Sequence, residues 1–311
     1  MGGRGSARVS KKVSKKEGWG NGDAHNRRLR SAQVAVVGLG LMGGSLAGAL
    51  RGWCQAVVGV ARRTETVEEA LQRDLIDRGT TELAKGVREA DVVVLATPVR
   101  VILRLVGQIG PLLPNGCLLM DVGSTKAQIV TRMAQLPGHV QPLGAHPMCG
   151  KEVSGITAAD SALYQGATFV LTPLSRTSES ALELGRTLVK TVGARPLVLD
   201  AQRHDRLVAA ISHLPYLLAC ALVGATEEVA SADPTVWDVT ASGFRDTSRL
   251  AASDVTMMLD ILLTNQEAVL GAIDVCEAQL RRLAHLAETG DEAGLQAALT
   301  GIRNRRARMW D

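Results

Sequence analysis

Short continuous apolar runs recur through the first two thirds of the chain, and each is followed by a segment whose apolar positions return every three or four residues. The runs are Gln33–Gly38 (QVAVVG), Ala56–Ala61 (AVVGVA), Asp91–Ala96 (DVVVLA), Cys117–Asp121 (CLLMD), Val140–Leu143, Thr168–Thr172 and Pro196–Leu199. Runs this short, rich in Val and bounded by turn residues, predict buried strands. The intervening stretches predict helices: one from a glycine-rich turn to about Leu50, Thr64–Arg73 with Thr64 as N-cap, Val99–Ile109, Thr125–Gln135 and Ser178–Val192. Strands alternating with helices give a parallel sheet covered on both faces. From Ala201 the strand pattern stops, and long Ala/Leu-rich helical segments follow at roughly 201–230, 247–289 and 291–308. The predicted organisation is a tail at 1–30, an α/β domain at 31–200 and an all-α domain at 201–311, with the boundary near Asp200.

Composition sharpens this picture. A length of 311 residues suits about two domains. Aromatics are only 3%, so the core is built from aliphatic side chains, and stacking platforms for single-stranded nucleic acid are disfavoured. The net charge of +4 is unevenly placed: residues 1–30 carry +7 and the remainder carries −3. That tail is Gly-, Ser- and Lys-rich with few apolar residues, so it should be a disordered, solvated leader rather than a nucleic-acid-binding domain. Five scattered cysteines without a CxxC pair suit a reducing cytoplasm and neither a disulfide framework nor a zinc site. Leu207–Ala225 imitates a membrane span, but Ser212, His213 and Pro215 lie within it and Arg203, Asp205 and Arg206 just before it. It reads as a helix in a core or subunit interface, with no membrane partner.

The chemistry begins at the first strand. Gly38-Leu39-Gly40-Leu41-Met42-Gly43 is a GxGxxG that follows a strand and opens a helix, the context in which glycines let a backbone approach a pyrophosphate. The second strand ends in Ala61-Arg62-Arg63, with no acid to take a ribose 2′-hydroxyl. Guanidinium forks bind a 2′-phosphate, so NADP is expected over NAD; the other reading makes both arginines solvated loop charges. Two further clusters close later strands: Asp121-Val-Gly-Ser124-Thr-Lys126, and Gly144-Ala-His146-Pro147-Met148-Cys149-Gly150. Ligands bind outside the carboxyl ends of such strands, so Ser124 and His146 can converge beside a nicotinamide, where an imidazole would take a proton as a C–H hydride leaves. In the helical half, Ser212-His213-Leu214-Pro215 and Gly243-Phe244-Arg245-Asp246-Thr247-Ser248-Arg249 stand out. His213 is either a substrate residue or a satisfied core histidine. Arg245 and Arg249, four apart, either clamp an anionic substrate or pair with Asp246 and Asp254. His25, His139, His204 and His285 show no partner pattern and read as structural. No metal motif is present.

Taken in order, VVGLGLMGGSLA, LATPV, DVGSTK, GAHPMCG, SHLP and GFRDTSR resemble the prephenate/arogenate dehydrogenases of tyrosine biosynthesis, from about Gln33 to at least Gln266. The resemblance implies a Rossmann-type N-terminal domain, an all-α C-terminal dimerisation domain, a homodimer, and oxidative decarboxylation of a cyclohexadienol with hydride transfer to NADP or NAD. It implies that His146 deprotonates the ring hydroxyl, that Ser124 hydrogen-bonds that hydroxyl and orients His146, and that Arg249 anchors the substrate carboxylate. His213 and Arg245 become second contributors, and Thr97 and Pro98 border the nicotinamide ribose. A nearby Arg245 or Arg249 would keep His146 neutral. Prephenate and arogenate both stay open as substrates. The competing readings are another two-domain hydroxyacid dehydrogenase or imine reductase, and a non-catalytic NADP-sensing module.

Overall fold

The computed structural model describes residues 24–309. Eight strands form one sheet in the order β3-β2-β1-β4-β5-β6-β7-β8. They are β1 (Gln33–Val37), β2 (Ala56–Val60), β3 (Arg78–Thr80), β4 (Val92–Leu95), β5 (Leu118–Asp121), β6 (Gln141–Pro147), β7 (Thr168–Pro173) and β8 (Arg195–Val198). All neighbours pair in parallel except β6 and β7. The expectation of a wholly parallel sheet is corrected there. Between β6 and β7 the chain makes only a short 3₁₀ turn at Ile156–Ala158, not a crossover helix, so it returns antiparallel. β6 also runs beyond the expected Leu143 because its far half pairs with β7, His146 opposite Val170. His146 therefore sits on a strand and not in a loop.

Helices α1 (Ala24–Ser31), α2 (Leu41–Leu50), α3 (Thr64–Gln72), α4 (Leu83–Val87), α5 (Val99–Ile109), α6 (Ala127–Met133) and α7 (Glu179–Thr191) belong to this half. Val99, Ile102, Val106 and Ile109 of α5 recur at helical spacing and are buried with Ile129 and Met133 of α6 on one sheet face. Leu46 and Leu50 of α2 and Leu184 and Leu188 of α7 are buried on the other. Each fully buried aliphatic side chain contributes roughly 1.5–3 kcal/mol, so the sheet is a rigid mount for what its strand ends carry.

Two expectations at the N-terminal side need correction. Residues 24–30, assigned to a disordered tail at 1–30, belong to α1: Leu29 is buried, and Arg28 donates to Ser180 Oγ at 3.0 Å. Residues 1–23 and the side chain of His25 lie outside the described residues. Thr64 does not cap α3; the N-cap residue is Arg63, without a side-chain hydrogen bond.

After β8 the chain is helical: α8 (Ala201–Val208), a π turn at Ala209–His213, α9 (Leu214–Ala232), α10 (Ser242–Ser248), a 3₁₀ turn at Arg249–Ala252, α11 (Val255–Thr264), α12 (Gln266–Glu288) and α13 (Glu292–Ala307). The expected helix at 247–289 is broken at Ser253–Asp254 and at Asn265, and Asp254 caps α11 through its side chain. The continuous helix at 201–232 is long and apolar enough to span a membrane by length and composition, yet its first half is bonded into the sheet domain, as described next.

Candidate active site

The glycine turn after β1 is shaped for an anion. Gly38 holds φ +102°, and a Cβ there would lie 2.6 Å from Ala96 O, so a side chain is excluded twice over. A Cβ on Gly43 would collide with the Gly38 carbonyl, so α2 packs directly on the turn. At Gly40 nothing lies within 4 Å of a Cβ position: the turn faces open space where a pyrophosphate would sit. Gly40 is the N-cap of α2 without a side-chain cap, which leaves the first N–H groups of the helix for a ligand. Leu39 and Leu41 are buried, and the Met42 backbone carbonyl accepts from Tyr164 Oη at 2.7 Å, so these contacts hold the turn itself. Beside it, past β4, Thr97 keeps a buried Oγ1 that has no hydrogen-bond partner among the described residues, and Pro98 is exposed at the N-cap of α5. At the end of β2, Ala61 is buried while Arg62 and Arg63 are exposed. These residues fit a dinucleotide.

The acid–base machinery lies further along the sheet. His146 Nδ1 is 2.8 Å from His204 Nε2, and His204 Nδ1 is 2.7 Å from Asp205 Oδ1. Asp205 also accepts from the Lys126 and Ala127 backbone N–H groups at 2.7 and 2.8 Å, at the start of α6. A carboxylate so surrounded only accepts, so His204 carries its proton on Nδ1 and offers the Nε2 lone pair. His146 must then donate from Nδ1, and its Nε2 lone pair is left free. Burial pushes His146 well below its ordinary value, and His204, Lys126 and His213 push the same way. The expectation that Arg245 or Arg249 keeps this histidine neutral is replaced by burial first, then by those three neighbours.

Behind the pair lies a buried ion pair. Lys126 Nζ contacts Asp121 Oδ2, both side chains fully enclosed. Asp121 also accepts from Gly123 N at 2.8 Å and from Ala145 N at 3.0 Å, the residue before His146. Burial pulls Lys126 below its ordinary value, opposed by Asp121 and Asp205. One short segment thus supports β6 through Asp121 and α8 through its backbone.

His213 is buried on the π turn. The wider ladder suits Pro215, which has no N–H and would crowd the carbonyl four residues back in a regular helix. Asn265 Nδ2 lies 3.2 Å from His213 Nδ1. Burial lowers His213 to about 4, against the pull of Asp205. Arg249, in the 3₁₀ turn packed on α9, forms an ion pair with Glu152 of the loop that follows His146. Arg245 points elsewhere: its side chain is 81% exposed, 4.0 Å from Asp246. Helix α10 ends at Ser248, so the two arginines do not share one regular helix. Ser124 is half-buried just past β5, and no hydrogen bond joins it to His146 among the described residues; His204 takes that orienting place. His204, read as structural from the sequence, is therefore corrected. The His-Asp dipeptide opening a helix just after the last strand was the signal for it.

An anion cradle at one strand end and a neutral, oriented imidazole at another define a nicotinamide-dependent dehydrogenase. Models of the prephenate dehydrogenase nucleotide-binding domain and dimerization domain match residues 46–198 and 200–300. The prephenate dehydrogenase of Lactococcus lactis subsp. cremoris is 38% identical over 256 residues, 81% of this chain and 70% of that protein. That of Bacillus subtilis is 33% identical over 268 residues, 84% and 72% of the two chains. The crystal structure of Aquifex aeolicus prephenate dehydrogenase with hydroxyphenyl propionate and NAD+ superposes with TM-score 0.85 at 31% identity, covering 89% of this chain and 98% of that one. Synechocystis arogenate dehydrogenase gives TM-score 0.80 at 31% identity, covering 89% and 99%. The chain belongs to the prephenate/arogenate (cyclohexadienyl) dehydrogenase family, with the Rossmann-type and all-α domains of that family, and is an NAD(P)-dependent oxidoreductase of aromatic amino acid biosynthesis.

Proposed function

We propose that this enzyme oxidatively decarboxylates a cyclohexadienol, prephenate or arogenate, using His146 as base and NADP as preferred cofactor, and that it works as a homodimer. The observation that carries the reading is the His146–His204–Asp205 chain, which leaves one unprotonated nitrogen, His146 Nε2, to receive a proton. That atom takes the proton of the ring hydroxyl, and the positive charge gained is stabilised through His204 by Asp205. By motif, Ser124 is assigned to hydrogen-bond the same hydroxyl. Arg249 receives the ring carboxylate, exchanging its bond to Glu152 for one to the substrate. Oxidised nicotinamide, when bound, supplies the acceptor for the hydride leaving the hydroxyl-bearing carbon. Loss of the ring carboxylate as carbon dioxide then leaves the aromatic phenol, and aromatisation drives the step. The main task of the protein is positioning. Arg245 and His213 remain assigned to substrate binding by motif, Arg245 as an outer contact.

Exposed Arg62 and Arg63 after Ala61 support NADP, since no carboxylate stands there to repel a 2′-phosphate. The homodimer is supported by apolar side chains left open on the helical half, such as Ile211 at 67% and Val275 at 67% exposure. Five free cysteines support a reducing cytoplasm. The test is nicotinamide reduction with each substrate and each cofactor. His146→Asn should lower kcat by a factor of about 100 or more with little change in KM. Wild-type turnover in that variant would remove the base assignment, and a lower KM for NAD than for NADP would remove the cofactor preference.

A further inference from the structure

Asn265 stands at the joint between α11 and α12, buried, and no step of the reaction described above uses it. Its Nδ2 donates to the Asp205 backbone carbonyl at 2.8 Å. A carbonyl cannot donate, and turning the amide over would set two oxygens against each other. The orientation of the amide is therefore fixed by the backbone of the relay residue. The same NH₂ group faces His213 Nδ1 at 3.2 Å, so that nitrogen must be the acceptor. The proton of the neutral imidazole then sits on Nε2. From these contacts we infer that Asn265 is a positioning residue that locks His213 in its Nε2–H form, so that the substrate pocket presents a hydrogen-bond donor there and selects a keto-acid side chain over an amino-acid one.

The selection rests on the reading of His213 as a substrate residue. Prephenate and arogenate differ only at the side-chain carbon that bears a keto oxygen in one and an ammonium in the other. A ring N–H bonds the lone pair of a keto oxygen. Against an ammonium it sets donor on donor, and rejection of the wrong partner follows from that unpaired contact. His213 is also held neutral, its pKa lowered to about 4, so it does not supply a full positive charge that would attract any carboxylate indiscriminately. Asn265 therefore does for His213 what His204 does for His146, but with the opposite outcome: one ring shows a lone pair, the other a proton.

The experiment uses the full-length protein with ¹⁵N-labelled histidine. The His213 ring signals are assigned by their loss in His213→Gln. The expected spectrum shows a proton-bearing Nε2 and a pyridine-type Nδ1. A proton on Nδ1 overturns the inference without any reference to catalysis. Asn265→Asp places an acceptor opposite Nδ1 and should move the proton there. The ratio of kcat/KM for prephenate over arogenate should then fall about tenfold, while Asn265→Ala raises KM for prephenate by a similar factor with kcat nearly unchanged. If the spectrum is as expected but neither variant moves the ratio or KM, the selectivity role is overturned. If the wild-type enzyme reduces nicotinamide with neither substrate, the functional reading fails while the tautomer result still stands or falls on its own.

Discussion

His146 depends on residues that never meet the substrate, and this gives single substitutions a direction. Asp205→Asn would offer His204 Nδ1 an amide in place of a carboxylate, so His204 and then His146 could settle in the opposite tautomer. The expected result is a fall in kcat of about a hundredfold or more, beside a loss of stability of about 1–3 kcal/mol because one N–H at the start of α6 loses its acceptor, measured by steady-state kinetics and denaturant unfolding. Lys126→Met removes one half of an enclosed ion pair and leaves Asp121 uncompensated, so it should cost about 3–5 kcal/mol in denaturant unfolding. Protonation has a sign as well. A base pushed well below its ordinary 6.5 stays competent as the medium is acidified, so the acid limb of kcat/KM should fall well below pH 6.5. For stability, His213 binds a proton more readily unfolded (near 6.5) than folded (about 4). Its neutral form therefore imposes no penalty above 6.5, and stability falls as pH drops from 6.5 to 4, by on the order of 3 kcal/mol in all. Urea titrations at stepped pH measure this. A midpoint that does not move across the window would contradict the burial of a neutral His213.

Among elements, the glycine turn separates folding from binding. Gly43→Ala drives a methyl into the Gly38 carbonyl and should destabilise the domain by about 1–3 kcal/mol or more, lowering Tm. Gly40→Ala meets open space in the protein, so Tm should hold while KM for the cofactor rises at least about tenfold. If Gly40→Ala bound cofactor normally, the cradle would have been placed wrongly. This turn was readable from the sequence because strand, glycines and helix are contiguous. So were β1, β2, β4 and β5, whose all-apolar runs have no competing interpretation. The reversal at β7 was not readable, because a strand buried on both faces has the same pattern whichever way it runs. Asn265 was hidden inside an expected helix, since the break it makes depends on contacts with Asp205 and His213, 60 and 52 residues away. His204 is only half legible: the His-Asp dipeptide opening α8 marks it, but its partner His146 lies 58 residues earlier and no local spacing connects the two.

In the whole molecule, the helical half is joined to the sheet half by polar contacts at the catalytic end. Asp260 of α11 accepts from Arg100 N at 3.0 Å, capping α5 from across the boundary. Thr264 Oγ1 and Thr125 Oγ1 are 2.8 Å apart, and Asp205 caps the start of α6. Asp260→Ala should therefore loosen both halves together by about 1–2 kcal/mol, read as one shifted transition rather than two. Apolar side chains of α9 (Leu218, Val229) and α12 (Leu270, Val275, Leu280) are left exposed on the helical half. Sedimentation at micromolar concentration should report twice the chain mass, and a stable monomer would remove the proposed dimer.

The α6 cap has one more consequence, for recombination between relatives. A chimera spliced near residue 200 looks harmless, since the last strand ends at Val198 and the next helix begins at Ala201. Yet the imidazole that works comes from one parent, and the His-Asp pair that sets its proton comes from the other. Cofactor affinity should survive such a graft, while turnover should survive only where the donor helix brings its His-Asp pair and the recipient loop still presents two amides to receive it.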